Sequence, residues 1–259
     1  MEYLAYYSPP LFLFVFVAIL NIALFELGRV LGKRHSSAGR DDPAFGVAQG
    51  AIFGLAALIL GFSFSLAQAR FDIRRHLVVE EANAIGTAYL RASFLPPAAA
   101  SRFRSILTSY TRLRLAAYTY NPDLQARLRA ERKSVALQSN LWGIAVDAGR
   151  ADPHNTQLSL LTAALNGTID LSSEQAAVLK THVPTGLIAF VIAVSGVVAI
   201  LVGFSYGRTA SRNLLMTILF SLLFSAVVST IVDLDRPQRG LIRVNLTPLQ
   251  TQLQSMKAP

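Results

Sequence analysis

The sequence predicts an all-α, polytopic membrane protein: four transmembrane helices, with a helical extramembrane bundle inserted between the second and third. Two observations carry this reading. Apolar runs at 11–27, 45–67, 186–206 and 214–232 each approach the ~20 residues that a bilayer-spanning helix needs. Between the second and third runs lies a more polar stretch with apolar residues at helical 3-and-4 spacing and no sustained strand alternation. The 259 residues then divide into helices 1 and 2 (1–69), a helical extramembrane domain (70–184), helices 3 and 4 (185–232) and a tail (233–259).

The first span follows Pro9-Pro10, and Gly28-Arg29 is expected to close it. No Lys or Arg precedes it and no small-residue cleavage site follows, so it does not resemble a removable signal peptide. Asn21 is expected to hydrogen-bond across a helix interface, and Glu26 to pair with Arg29 or Lys33 one turn on. Residues 29–44, with Arg29, Lys33, Arg34 and Arg40, read as an exposed connector.

In the second span Gly46, Gly50 and Gly54 make two overlapping small-xxx-small steps. They clear one helix face for close approach by a neighbour, which makes them the helix-packing candidates. No Gly or Pro separates Ser65 from Arg70-Phe71-Asp72-Ile73-Arg74-Arg75, so this helix is expected to continue into the middle domain.

In that domain, Phe103, Ile106, Leu107, Tyr110, Leu113 and Ala117 mark one buried helix face. Asn121-Pro122-Asp123 reads as a turn and cap before a helix over 124–148 containing Trp142. Asp152-Pro153 is expected to open a short helix that Asn166-Gly167 stops. Leu171-Ser172-Ser173-Glu174 then opens the helix that leads to Pro184. Four or five helices in all suggest a bundle.

In the fourth span Asn213, Thr217, Ser221, Ser225, Ser229 and Asp233 recur every four residues and drift only ~40° per step, forming one slanted polar ridge. Such hydroxyls either bond their own carbonyls and ease packing or border a hydrated pathway; Ser225 and Ser229 are the pore candidates on it. Asp233 and Asp235 stand at a helix C-terminus, where cations are preferred, so they need partners. Arg70, Arg74, Arg75 and Arg236 complete a membrane-boundary charge cluster with them. Two carboxylates make a poor calcium site, which wants six to eight oxygens.

Composition excludes much chemistry. With no Cys, thiolate catalysis, iron–sulfur clusters and cysteine zinc sites are ruled out. His35, His76, His154 and His182 fall at no metal-ligand spacing, and no P-loop, dinucleotide fingerprint or G-x-S-x-G elbow occurs. No catalytic residue, cofactor or metal is expected. The net charge is +9, and residues 70–133 hold twelve Lys/Arg against five Asp/Glu. Beside membrane spans, that excess suits phospholipid head groups or an anion-attracting vestibule better than nucleic acid.

Several stretches carry a family resemblance. Leu60-Gly61-Phe62, Ala69-Arg70-Phe71-Asp72-Ile73-Arg74-Arg75, the segment from Val79-Glu80-Glu81-Ala82-Asn83 to Arg91, and Asp233-Leu234-Asp235-Arg236-Pro237 with the residues to Val244 resemble the bestrophin-like membrane proteins of bacteria. That family is distantly similar to the bestrophins, pentameric anion channels whose second membrane helix lines a narrow apolar neck. The resemblance implies a multi-pass protein of the bacterial inner membrane, assembled as a homo-oligomer (a pentamer by analogy) in membrane lipid and passing chloride or other small anions. It makes Phe62 the neck residue, with Leu58 and Ser65 beside it. The tryptophans that follow the bestrophin neck and the acidic calcium clasp of animal bestrophins are missing here. The alternative is a non-conducting scaffold or envelope-stress component, whose basic helical domain binds anionic lipid or a partner protein through Arg102, Arg104, Arg112 and Arg114.

For topology, four cations follow the first span and none precede it, so the positive-inside rule puts the first loop in the cytoplasm. Arg208 and Arg212 agree. The large domain and the C-terminus would then be non-cytoplasmic, whereas the bestrophin resemblance implies the opposite.

Overall fold

A computed structural model describes residues 10–35, 43–118, 124–181, 183–208, 214–236 and 240–256. Among these residues the chain is all-helical: α1 (Pro10–Arg34), α2 (Pro43–Arg91), a 3-10 turn (Ala92–Phe94), α3 (Pro97–Ala117), α4 (Leu124–Ala151), α5 (Thr156–Lys180), α6 (Thr185–Arg208), α7 (Leu214–Leu234) and α8 (Thr247–Ser255). α1, α2, α6 and α7 are long and apolar enough to cross a membrane. The chain divides into two compact units, Met1–Phe71 with His182–Arg243 and Asp72–Thr181 with Val244–Pro259. The expected tail is therefore shared: its first part belongs with the spans and its last part, α8, with the middle segment.

In unit 1, α1 packs along α6 and α7, and α6 packs on α7. α1 does not end at Gly28-Arg29 but runs two turns further, to Arg34. The cause is packing. A methyl group on Gly28 would land on the Ile200 carbonyl, one on Gly32 on that of Phe204, one on Gly203 on that of Phe25 and one on Gly207 on that of Arg29. The two backbones touch, and this contact outweighs the ~1 kcal/mol helix penalty of each glycine. Asn21 is fully buried, and its side-chain oxygen accepts from the Ser195 hydroxyl at 3.3 Å across the same interface. Glu26 pairs with Arg29 within α1. The first half of α2 is fastened to α6 by the Ser205 hydroxyl, which donates to Gln49 Oε1 at 2.9 Å, and by Phe45 against Phe204.

Unit 2 is built around the second half of α2. Arg104 Nε donates to the Tyr89 carbonyl at 3.4 Å, and Arg114 and Tyr118 reach Glu81, so α3 runs antiparallel to α2. Gln138 meets Tyr110 and Ser172, and Arg91 donates to the Leu160 carbonyl, which sets α4 and α5 into an up-and-down bundle. Val78, Ile85, Phe103, Leu107, Leu141, Leu161 and Leu165 fill its core. α8 closes it with buried Leu249, and Met256 just beyond its end is buried too, its carbonyl accepting from the Tyr89 hydroxyl at 3.1 Å.

Two expectations in this unit need correction. Asn166-Gly167 stops nothing, and no helix begins at Leu171, because α5 is continuous from Thr156 to Lys180. Leu158, Leu161, Leu165, Thr168, Ser172 and Gln175 form a buried stripe straight through the Asn-Gly step. Asn166, instead of capping, donates to Asp170 one turn on at 2.8 Å. That helix also opens later than Asp152-Pro153, at Thr156, where Asn155 caps it by accepting the Gln157 N–H. The Asn121-Pro122-Asp123 turn, Asn213 and Arg212 lie outside the described residues.

Candidate functional site

The second half of the apolar run in α2 places Leu58, Phe62 and Ser65 on one side of the helix, since spacings of four and three return to the same face. That face is open. Leu55 is 58%, Leu58 53% and Phe62 68% exposed, and Ser65 is exposed with them. Gly46, Gly50 and Gly54 precede Leu58 and Phe62 at steps of four. Apart from the helix's own backbone, no atom of the described residues lies within 4 Å of a side-chain carbon built on any of the three, nor on Gly61. Among the described residues these glycines therefore face no neighbouring helix. The opposite side of α2, with Ala56, Leu60, Ser63 and Ala67, is buried in unit 1.

The polar ridge of α7 lies elsewhere. Thr217, Ser221 and Ser225 are buried inside unit 1 and Ser229 is half-buried. The Ser225 hydroxyl donates to the Ser221 carbonyl one turn back at 2.6 Å. The ridge and the Phe62 face are thus not brought together by the fold of one chain.

The carboxylates that end this ridge are held by backbone. Asp233 is buried, its Oδ1 accepting the Leu241 N–H at 3.0 Å and its Oδ2 the Ile242 N–H at 2.8 Å. Gly240 sits so close to this carboxylate that a side chain there would strike it. Asp235 is also buried and accepts the Val183 N–H at 2.9 Å. The Asp-x-Asp pattern thus works as an amide clasp, which satisfies charged oxygens in a water-poor place. Of the arginines grouped with it, Arg236 is buried in the same unit, and Arg70 is half-buried on α2. Arg74 is buried in unit 2 and donates to the Thr181 carbonyl at 2.8 Å, while Arg75 is exposed and lies 3.9 Å from Asp72.

Sequence reasoning missed a buried polar network in unit 2. Glu81 is fully buried and takes a two-nitrogen contact from Arg114 and the Tyr118 hydroxyl at 2.7 Å; Arg114 also reaches Gln175. Burial works against the Arg114 charge, and the Glu81 carboxylate more than compensates, leaving its pKa raised. Burial, followed by the Glu81 charge, pushes the Tyr118 phenol far above its ordinary value of 10.0. The signal available in sequence was weak: the adjacent Glu80 and Glu81 point to different helix faces, and Glu81 is the one that turns inward. An open groove of about 660 Å³ in the same unit is lined by Asp72, His76, Glu80, Glu174, Asn245 and Pro248. Among the described residues no group of three or more His, Asp or Glu is placed to hold a metal ion.

A family model described as the Bestrophin-like domain matches residues 13–249. The chain belongs to the Bestrophin-like family. Its fold matches a bacterial bestrophin homologue from Klebsiella pneumoniae, seen as a tyrosine-to-alanine variant, with a TM-score of 0.73 at 16% identity over 93% of this chain and 97% of that one. An aspartate-to-alanine variant gives 0.71 at 15% identity over 95% and 99%. A further crystal structure of the Klebsiella homologue gives 0.68 at 16% over 93% and 95%. No curated protein matches. The resemblance carried by Leu60-Gly61-Phe62, the Val-Glu-Glu-Ala-Asn segment and the Asp-x-Asp tail therefore identified the family, and the all-α fold with four membrane-length helices is that of the bestrophin homologues.

Proposed function

We propose that this Bestrophin-like protein assembles as a homo-oligomer in the bacterial inner membrane, a pentamer by analogy, and conducts chloride or another small anion along an axis lined by α2. The observation that carries the reading is the open α2 face: a glycine ridge followed by exposed Leu58 and Phe62 that no described residue covers. Lipid covers apolar side chains well, but three cleared glycine positions gain nothing from lipid; they suit a second backbone. Copies of α2 around an axis would set Phe62 and Leu58 into a ring, with Ser65 beside it. An apolar ring of this kind gates by dewetting. The basic excess of the middle segment would raise the local anion concentration at the mouth. Buried Ser225 and half-buried Ser229 play a packing part in this arrangement.

The test is oligomeric mass in lipid nanodiscs together with chloride flux in liposomes. A monomer without flux supports the scaffold alternative. Orientation follows the first-helix weighting, with the first loop cytoplasmic and the bundle on the other face. Cysteines introduced singly at Gly39 and Arg104 of this Cys-free chain, labelled by an impermeant reagent, test it: external labelling of position 39 alone overturns the orientation.

A further inference from the structure

Within unit 2, α3 holds Arg102, Arg104, Arg112 and Arg114 and no carboxylate. Two of the four turn inward, Arg104 to the Tyr89 carbonyl and Arg114 to Glu81. Arg102 and Arg112 are exposed, and neither meets a partner among the described residues. Ten residues apart, they end a stripe about 15 Å long. Ser105 and Ser109 lie between them at 3-and-4 spacing, on the side opposite buried Phe103, Leu107 and Tyr110. The Ser109 hydroxyl donates back to the Ser105 carbonyl at 3.1 Å, so the stripe is low between its two cations. The groove of the same unit lies on other elements. α2 and α5 supply its carboxylates, Asn245 and Pro248 part of its rim, and no α3 residue lines it. Glu80 faces His76 there at 3.4 Å, and Asp72 stands beside Arg75 at 3.9 Å, about 12 Å from Glu80 along α2. Glu174 on α5 is exposed and has no partner among the described residues. Exposed Ile73 and Val79 add apolar wall. One copy of unit 2 thus carries a cationic stripe and, on separate elements, an anionic groove of similar length.

We propose that the groove is a subunit contact, in which the Arg102–Arg112 stripe of a second copy of this chain seats against Glu80 and Glu174. Charge complementarity selects this occupant. A chain of net charge +9 repels its own copies at long range, and a contact that sets outward arginines on outward carboxylates offsets that repulsion. Arg presents a planar fork that matches a carboxylate, and its aliphatic stem can cover apolar wall such as Ile73 and Val79. The stripe and the groove are different surfaces, so the contact is heterologous. Such contacts run head to tail and close into rings, whereas a two-fold dimer would pair each surface with itself. The contact deepens the homo-oligomer reading above and rests on it; conduction does not enter.

The experiment dilutes full-length protein in uncharged detergent and follows its mass by light scattering. Glu174→Arg and Arg112→Glu should each raise the concentration at which the oligomer dissociates by about tenfold, because like charges then meet. The double variant carrying both changes restores opposite charges and should return toward the parent. Both positions are exposed, and an unchanged thermal midpoint marks each variant as folded; where a reversal lowers it, Glu174→Gln or Arg112→Gln takes its place with the same direction expected. In this Cys-free chain, Glu174→Cys combined with Arg112→Cys and treated with a short bismaleimide should give a covalent ladder beyond the dimer. Either cysteine alone should give none. A parent that stays monomeric at every concentration overturns the oligomer and the contact together. An oligomer that neither reversal weakens, a double variant as weak as the single ones, or crosslinks that stop at the dimer overturn the contact alone.

Discussion

Gly28 and Gly203 lie where α1 and α6 exchange backbone contacts, with no room for a methyl group on either. Gly28→Ala or Gly203→Ala is expected to destabilise the fold by about 1–3 kcal/mol, the usual scale of forced overpacking, read as a fall in thermal stability in detergent. Gly50→Ala and Gly54→Ala meet open space and should leave that midpoint within experimental scatter while weakening the oligomer. Asp233 makes a second residue-scale case. Asp233→Asn places an amide NH₂ against the N–H of Leu241 or Ile242, so one buried donor is left unpaired at about 1–3 kcal/mol. Proteolysis of the 236–243 segment, faster in the variant than in the parent, is the expected sign; equal rates would contradict the clasp.

Among the elements, the Glu81–Arg114–Tyr118–Gln175 network ties α2, α3 and α5 together. Arg114→Leu strands a buried carboxylate and should cost about 3–5 kcal/mol, seen by calorimetry. Tyr118 and Arg114 both have raised pKa values in the folded state. A raised folded pKa means that the fold holds the proton more tightly than the unfolded chain. Stability is therefore fully present below the ordinary tyrosine value of 10.0 and is lost as pH rises beyond it. Tyr118→Phe should flatten part of that alkaline decline; an unchanged slope would contradict the assignment.

What the sequence disclosed about these elements depended on where their partners lie. The spans and the unbroken passage from Ser65 to Arg75 were legible because hydropathy and the absence of breakers are local properties. The α1–α6 glycine contact was not, because Gly28-x-x-x-Gly32 looks like a helix end until partner glycines 175 residues further on, Gly203 and Gly207, face it. Gly46, Gly50 and Gly54 carried the stronger motif yet face none of the other described helices. Asn166-Gly167 misled in the same way, as a stop signal overridden by a buried stripe on both sides. The acidic tail was legible as a signature but not as an amide clasp, since backbone donors leave no mark in sequence.

For the whole molecule, the family is the Bestrophin-like family and the fold is that of bacterial bestrophin homologues, with the α2 face left open among the described residues. In the proposed channel, copies of this face line a conducting axis with Phe62 at its narrowest ring. Chloride efflux from liposomes containing the purified protein, compared with Phe62→Ala, tests it most directly. Efflux above empty vesicles, faster or less readily closed in Phe62→Ala because the apolar ring is widened, is the predicted result. No efflux from vesicles shown to hold folded oligomer, with Phe62→Ala equally silent, would contradict it.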